Sequence, residues 1–247
     1  MLVGPFPTHF QNSGETGVVE PSGHDHFKPV MGTDTQGDPF CPSAFFDGIG
    51  VEKSIFLHHI ALTCRRTIMT VAPFLEQIVL PFLKSPSMPC GAILDLACGS
   101  GQNGLFLAEH GFPVELVDRD ADKVNKAGQT AKAHGWPVTT RIADLESGPP
   151  VSFAPESYAA VMVFRYLHRP LFPALLAAVK PGGLLVYESF TEDHGEVIGK
   201  PSNPNFLLRR GELRTRVPGW EILHSFEGRL DRPERYVARL IARKPGH

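Results

Sequence analysis

From Val51 to Leu83, apolar side chains return every three or four residues, at Ile55, Leu57, Ile60, Ala61, Ile68, Val71, Phe74, Leu75, Ile78, Val79 and Phe82. That spacing lays them along one face of a helix. Pro73 and Pro81 break the pattern into two or three helical pieces, because proline removes a backbone donor and clashes with the preceding turn. Lys84 to Gly91 is a Ser/Pro linker. From Ala92 onward, short β-branched runs alternate with helical patterns, which predicts a parallel sheet covered by helices. Strands are expected over 92–97, 113–118, 137–142, 158–164, 184–190, 219–226 and 234–243, and helices over 102–111, 120–134, 169–180 and 207–216. No internal repeat is visible.

The first fifty residues follow neither period. They hold eight Gly and six Pro, with six acids against a single Lys and no Arg. Such a stretch has too little apolar content to build a core. The expected organisation is therefore a disordered or extended tail over 1–50, a helical extension and linker over 51–90, and a folded α/β domain over 91–247. Across all 247 residues the content is 42% hydrophobic and 20% charged with a net charge of -2, which suits a globular chain and argues against a surface that coats nucleic acid or membrane. Four cysteines, Cys41, Cys64, Cys90 and Cys98, lack the short paired spacing of a zinc site or redox dithiol, so a reducing compartment is expected. His9, His24, Asp25 and His26 match no ligand spacing, and no metal site is expected. With Lys28 the first basic residue and no apolar run near the ~20 residues that span a bilayer, the expected location is cytoplasmic, away from membranes.

Candidate chemistry concentrates at the ends of the expected strands. Ile93-Leu94-Asp95-Leu96-Ala97-Cys98-Gly99-Ser100-Gly101-Gln102-Asn103-Gly104 reads as an apolar strand, a glycine-rich turn and the start of a helix. Gly99, Gly101 and Gly104 alone fit a dinucleotide fingerprint. Asp95 changes the reading, because a carboxylate there repels a pyrophosphate and suits a ligand with a cationic amino-acid end, such as the ammonium and sulfonium of S-adenosylmethionine. Asp118 ends the second strand 19 residues after Gly99, where a doubly wound sheet delivers a carboxylate to ribose hydroxyls. Asp144 follows the third strand and can accept from an adenine amino group while Leu145 packs on the ring. Any one of these acids is an ordinary turn or cap residue. Three of them ending three successive strands make a site.

With these residues the sequence resembles the class I S-adenosylmethionine-dependent methyltransferases over about Ala92 to Lys244. The resemblance rests on Asp95 to Gly101, on Asp118, on Asp144 and on the Lys180-Pro181-Gly182-Gly183 turn before the fifth strand. It implies a Rossmann-like seven-stranded sheet of order 3-2-1-4-5-7-6 with strand seven antiparallel, and a loop Ala97 to Gly101 that holds the methionine part of the cofactor. Asn103, Arg119, Ala143, Phe164 and Arg165 complete the expected cofactor contacts, with Arg165 and Tyr166 expected to line the cofactor side. Phe164 to Phe172, with Tyr187-Glu188-Ser189-Phe190-Thr191, looks more narrowly like the small-molecule methyltransferases of the tellurite-resistance group.

The acceptor site of such a sheet lies beyond the carboxyl end of strand four. That strand runs into Arg165-Tyr166-Leu167-His168-Arg169, so Tyr166, His168 and Arg169 are the candidate catalytic residues. Histidine is the side chain suited to act as a general base near neutral pH, which makes His168 a candidate for that role; it is equally an N-terminal helix residue, since Pro170 stands where a helix begins. The Asn/Asp-Pro-Pro-aromatic motif of amino-methylating nucleic-acid enzymes is absent, and no acid ends the strand to hold Mg²⁺. Arg235, Arg239 and Arg243 sit at even offsets and are expected on one solvated face of an edge hairpin, which makes a nucleic-acid partner a poor fit. The expected activity is methyl transfer to a small neutral or anionic molecule. Alternatives are methylation of tRNA or protein, and a nicotinamide-dependent oxidoreductase on the same glycine spacing. The oligomeric state is not legible.

Overall fold

The structure, a computed structural model, describes residues 71–147 and 151–246. The tail expected over 1–50 and the helical pattern of 51–70 lie outside them. Seven strands form one sheet: β1 (Ala92–Leu96), β2 (Val114–Asp118), β3 (Val138–Ile142), β4 (Tyr158–Phe164), β5 (Val179–Phe190), β6 (Glu221–Asp231) and β7 (Glu234–Arg243), in the order β3-β2-β1-β4-β5-β7-β6. β7 runs antiparallel to β5 and β6 while the other pairings are parallel, as the resemblance implied. Every residue of β4 is buried, as a central strand covered on both faces requires.

Helices α1 (Leu80–Leu83), α2 (Gln102–Glu109), α3 (Ala121–His134), α4 (Phe172–Ala178), α5 (Glu192–Ile198) and α6 (Glu212–Thr215) connect the strands. Before α1, Leu75–Val79 is wound as a π-helix, so the chain changes register just ahead of Pro81, which supplies no amide hydrogen. Asp120 caps α3 by accepting from Lys123 N, and Gly135 ends it in the left-handed region. The helix expected over 169–180 is split into a 3₁₀ turn, Arg169–Leu171, and α4, with β5 beginning at Val179. Only Glu212–Thr215 of the span 207–216 is helical, and α5 is an additional helix whose short polar sequence shows no apolar period.

A hydrophobic cluster fills each face of the sheet. One gathers Leu94, Leu96, Val161, Val163, Leu175 and Tyr187, and the other Phe74, Leu75, Ile93, Leu107, Leu116 and Met162. One expectation about the arginines needs correction. β7 lies between β5 and β6, so β6 is the sheet edge and Arg239 does not point to solvent. Arg239 Nε instead donates to Glu188 Oε2 at 2.7 Å, with the two side chains 13% and 5% exposed. The guanidinium also lies 4.8 Å from the ring centre of Phe74. Even spacing correctly placed Arg239 in a strand, but the pairing partner that buries it comes from a strand fifty residues away in sequence.

Candidate active site

The carboxyl end of β1 opens into a loop in which Ala97, Gly99 and Gly101 all adopt positive φ, of 54°, 57° and 72°. Two consequences follow for the glycines. Gly101 takes the left-handed conformation directly before α2, which glycine adopts without steric cost. At Gly104 a Cβ would stand 2.3 Å from Leu116 Cδ2 and 3.0 Å from Asp95 Oδ2, so only glycine lets α2 approach β1 and β2 this closely.

Two carboxylates fasten that loop. Asp95, 2% exposed, accepts from Gly104 N at 2.9 Å, beneath the loop. Burial, and to a lesser degree the neighbouring Asp118, pushes its pKa up to about 7, against the pull of the Gly104 hydrogen bond. Asp118 accepts from Gly99 N at 2.8 Å through Oδ2 and from Asp120 N at 3.0 Å through Oδ1. A carboxylate has about four lone-pair directions, so two remain for a ligand. At the end of β3, Asp144 Oδ1 accepts from Glu146 N and Ser147 N, and these backbone donors hold its carboxyl below the usual range.

A cavity of about 360 Å³ crosses the carboxyl ends of β3, β2, β1, β4 and β5 in their order in the sheet. Ala143, Asp144, Leu145 and Asp118 line one end, Ala97 the middle, and Arg165, Tyr166 and Phe190 the other, where Pro201 and Phe206 add to the wall. Arg165 holds positive φ, 56°, and its amide donates to Glu188 O at 2.7 Å. Tyr187 OH donates to Tyr166 O at 2.9 Å. The turn after β4 is thus pinned by β5 on both sides of the Tyr166 α-carbon. The Tyr166 hydroxyl itself is shielded from solvent and makes no hydrogen bond of good geometry; burial first and the nearby Glu146 carboxylate second push its pKa up.

Eight of the expected site residues therefore converge on this cavity: Ala97, Asp118, Arg119, Ala143, Asp144, Leu145, Arg165 and Tyr166. Others stand apart from its wall. Asp95, Gly99 and Gly101 shape the loop from behind, and Asn103 Oδ1 accepts from Ala72 N at 3.0 Å, tying the segment before α1 to α2. Phe164 packs against Phe74, ring centres 6.1 Å apart. His168 precedes the 3₁₀ turn and does not line the cavity. Arg169, expected as a catalytic residue, is not in the cavity wall and is engaged in the framework. Its Nε and Nη2 donate to the two Glu212 carboxylate oxygens at 2.8 Å each, Nη1 to Asn205 O at 2.9 Å, and Nη2 also to Leu207 O at 2.8 Å. Four of its five N–H donors are thereby committed to the framework. Glu146, Leu167, Phe190, Pro201 and Phe206 line the cavity without having been expected there. Phe190 lay within a stretch that carried the family likeness, whereas Pro201 and Phe206 sit in an aperiodic loop that offers no signal.

A family model described as a methyltransferase domain matches residues 93–183. The chain is 25% identical over 174 residues to the probable S-adenosyl-L-methionine-dependent methyltransferase TehB of Haemophilus influenzae, covering 63% of this chain and 58% of that protein. It is 29% identical over 117 residues to the uncharacterized methyltransferase YodH of Bacillus subtilis, covering 46% and 48% of the two chains. The crystal structure of TehB from Haemophilus influenzae superposes with a TM-score of 0.54 at 22% identity, over 67% of this chain and 61% of that one, a likeness of fold. The chain thus spans about half the length of the curated relatives it matches.

Proposed function

We propose that this chain, which carries a class I S-adenosylmethionine-dependent methyltransferase domain, transfers the cofactor's methyl group to a small-molecule acceptor. The observation that supports this reading most is that one cavity has carboxylates at its β2 and β3 end and aromatic side chains at its β4 and β5 end. The donor set suits the cofactor. Asp118 offers lone pairs to vicinal hydroxyls, Asp144 and Leu145 offer an acceptor and an apolar face to a purine, and the Ala97 turn brings backbone close to the middle of the ligand. When bound, the sulfonium supplies a methyl carbon already activated for in-line displacement. The remaining work is alignment and exclusion of water.

In this reading Tyr166 and Phe190 flank the acceptor, the Tyr166 hydroxyl orients it, and Arg165 balances negative charge on the acceptor or on the cofactor's carboxylate. The turn after β4 has no carboxylate of its own and carries Arg165, which favours a neutral or anionic acceptor, although Glu146 after β3 lies near the Tyr166 hydroxyl. Asp118 does not separate the two cofactors, since a carboxylate at this place also binds the adenosine ribose of a nicotinamide dinucleotide; the second carboxylate, Asp144 after β3, favours S-adenosylmethionine. Asp95 contributes less to that discrimination than its sequence position suggested, since an acid with a pKa near 7 is only partly charged at neutral pH. The test is a screen of neutral, anionic and cationic small molecules, alongside tRNA and protein lysine, for release of S-adenosylhomocysteine. Turnover with a small neutral or anionic acceptor is expected, and Tyr166→Ala or Arg165→Ala should lower that turnover more than it lowers product binding, because alignment acts on the transition state. Efficient methylation of tRNA or of protein with no small molecule accepted would refute the assignment.

A further inference from the structure

Phe206 lines the cavity although it belongs to the loop between α5 and α6 and is 41% exposed. An exposed aromatic ring on a loop does not hold its place by its own packing. The residues on either side of it do: the carbonyls of Asn205 and Leu207 both accept from the Arg169 guanidinium, at 2.9 and 2.8 Å. Arg169 is in turn fixed by Glu212, whose carboxylate also accepts from Arg209 N at 3.0 Å and from Arg216. Glu212 is 8% exposed. Burial alone would raise its pKa, but the Arg169 and Arg216 guanidiniums bring it down to about 2, so the clamp stays charged throughout the neutral range. Arg216 lies 5.1 Å from the ring centre of Phe172, which stacks on Tyr187 at 5.2 Å, and Tyr187 holds the Tyr166 carbonyl. One network therefore sets both Tyr166 and Phe206, two walls of the same end of the cavity.

We infer that Arg169 and Glu212 are positioning residues that fix Phe206 as a wall of the methyl-transfer end and so limit the size of the group the site accepts there. The inference rests on the methyltransferase reading. The planar fork is what makes arginine suitable: it reaches a carboxylate and two carbonyls at once, which a lysine ammonium on a flexible stem does not reproduce. The limit on size follows because a cavity wall discriminates only as far as it resists displacement.

The test uses the full chain and needs no knowledge of the acceptor. Two probes are compared by calorimetry: S-adenosylhomocysteine, and an S-adenosylmethionine analogue in which benzyl replaces the transferable methyl. The ratio of their dissociation constants reports the room at the sulfonium end and cancels any general loss of cofactor affinity. In the unaltered protein the benzyl analogue should bind at least about tenfold more weakly than S-adenosylhomocysteine. Phe206→Ala should reduce that ratio to about threefold or less and Phe206→Trp should increase it, and both changes fall on an exposed side chain that the fold does not require. Arg169→Lys and Glu212→Gln should reduce the ratio as Phe206→Ala does, and Phe206→Ala added to either should change it little further. A ratio near one in the unaltered protein, or one insensitive to Phe206, would overturn the wall. A ratio sensitive to Phe206 but unmoved by folded Arg169→Lys and Glu212→Gln variants would overturn the clamp. Failure of S-adenosylhomocysteine itself to bind would instead remove the methyltransferase reading, and this inference with it.

Discussion

Asp118 has two different tasks in one side chain. It accepts from Gly99 N and Asp120 N, which shapes the loop, and it lines the cavity where a ribose would lie. If Asp118 holds the ligand as proposed, its removal costs both the backbone and the ligand contacts. Asp118→Ala is expected to weaken S-adenosylhomocysteine binding at least about tenfold, or ~1.4 kcal/mol, in titration calorimetry. Asp95 behaves differently, since it touches the loop from below and carries a pKa raised from 3.8 to about 7. A raised carboxyl pKa means that the folded state holds the proton more tightly than the unfolded chain does. Its contribution to stability is therefore full below about pH 4 and lost as pH rises toward 7. Asp95→Asn keeps an oxygen for Gly104 N and removes the titration. The stability of the original protein relative to this variant should fall as pH rises between about 4 and 7 and level off above, a difference measurable by denaturant unfolding of both chains across that range. A difference that stays constant with pH would show that Asp95 is not buried as described. The position of Asp95 one residue before the end of β1 and of Asp118 at the end of β2 was legible from the sequence, since both sit at the carboxyl ends of apolar runs. Which of them faces the cavity was not, because that depends on how tightly α2 is drawn onto β1 by Gly104.

At the scale of elements, the glycine loop, the capped helix α3 and the fully apolar β4 follow from local sequence alone, and their bounds agree with the pattern to within two residues. The disagreements fall where long-range pairing decides. β5 begins at Val179, five residues before its apolar run, because Val179 pairs with Tyr158 of β4 across an irregularity in the register. β7 is interior because β6 folds back outside it, and this converts Arg239 from a surface charge into half of a buried pair with Glu188. That pair lies in a cross-strand row, Phe164, Glu188, Arg239 and Phe226, under Phe74, and so joins four strands to the segment preceding α1. Leaving one charge buried without its partner is costly, whereas replacing both by apolar residues of similar volume is often neutral. Arg239→Ala should destabilise by roughly 3 kcal/mol, while the double variant Glu188→Leu with Arg239→Met should recover most of that loss, both read by chemical denaturation. Equal destabilisation by the single and double changes would show that the pair is a surface contact in solution.

The whole molecule brings the aperiodic segments into use. Pro201 and Phe206 line the cavity only because α5, the 201–208 loop and the Glu212 cluster fold back over the β4 and β5 ends, contacts between residues some forty positions apart. Hydrophobic periodicity carries no record of such contacts, which explains why the strand-end residues of the cavity, from Ala97 and Asp118 to Arg165 and Tyr166, were expected from sequence and Pro201 and Phe206 were not. Among the described residues no group of three or more His, Cys, Asp or Glu is placed to hold a metal ion, and no helix is long and apolar enough to cross a membrane. The account as a whole depends on what the cavity binds. The most direct measurement is titration calorimetry of the purified full chain with S-adenosylhomocysteine and, separately, with NADH. One site per chain for S-adenosylhomocysteine, abolished or weakened at least about tenfold by Asp118→Ala, and no heat with NADH, is the result expected. Saturable NADH binding with none for S-adenosylhomocysteine would contradict it.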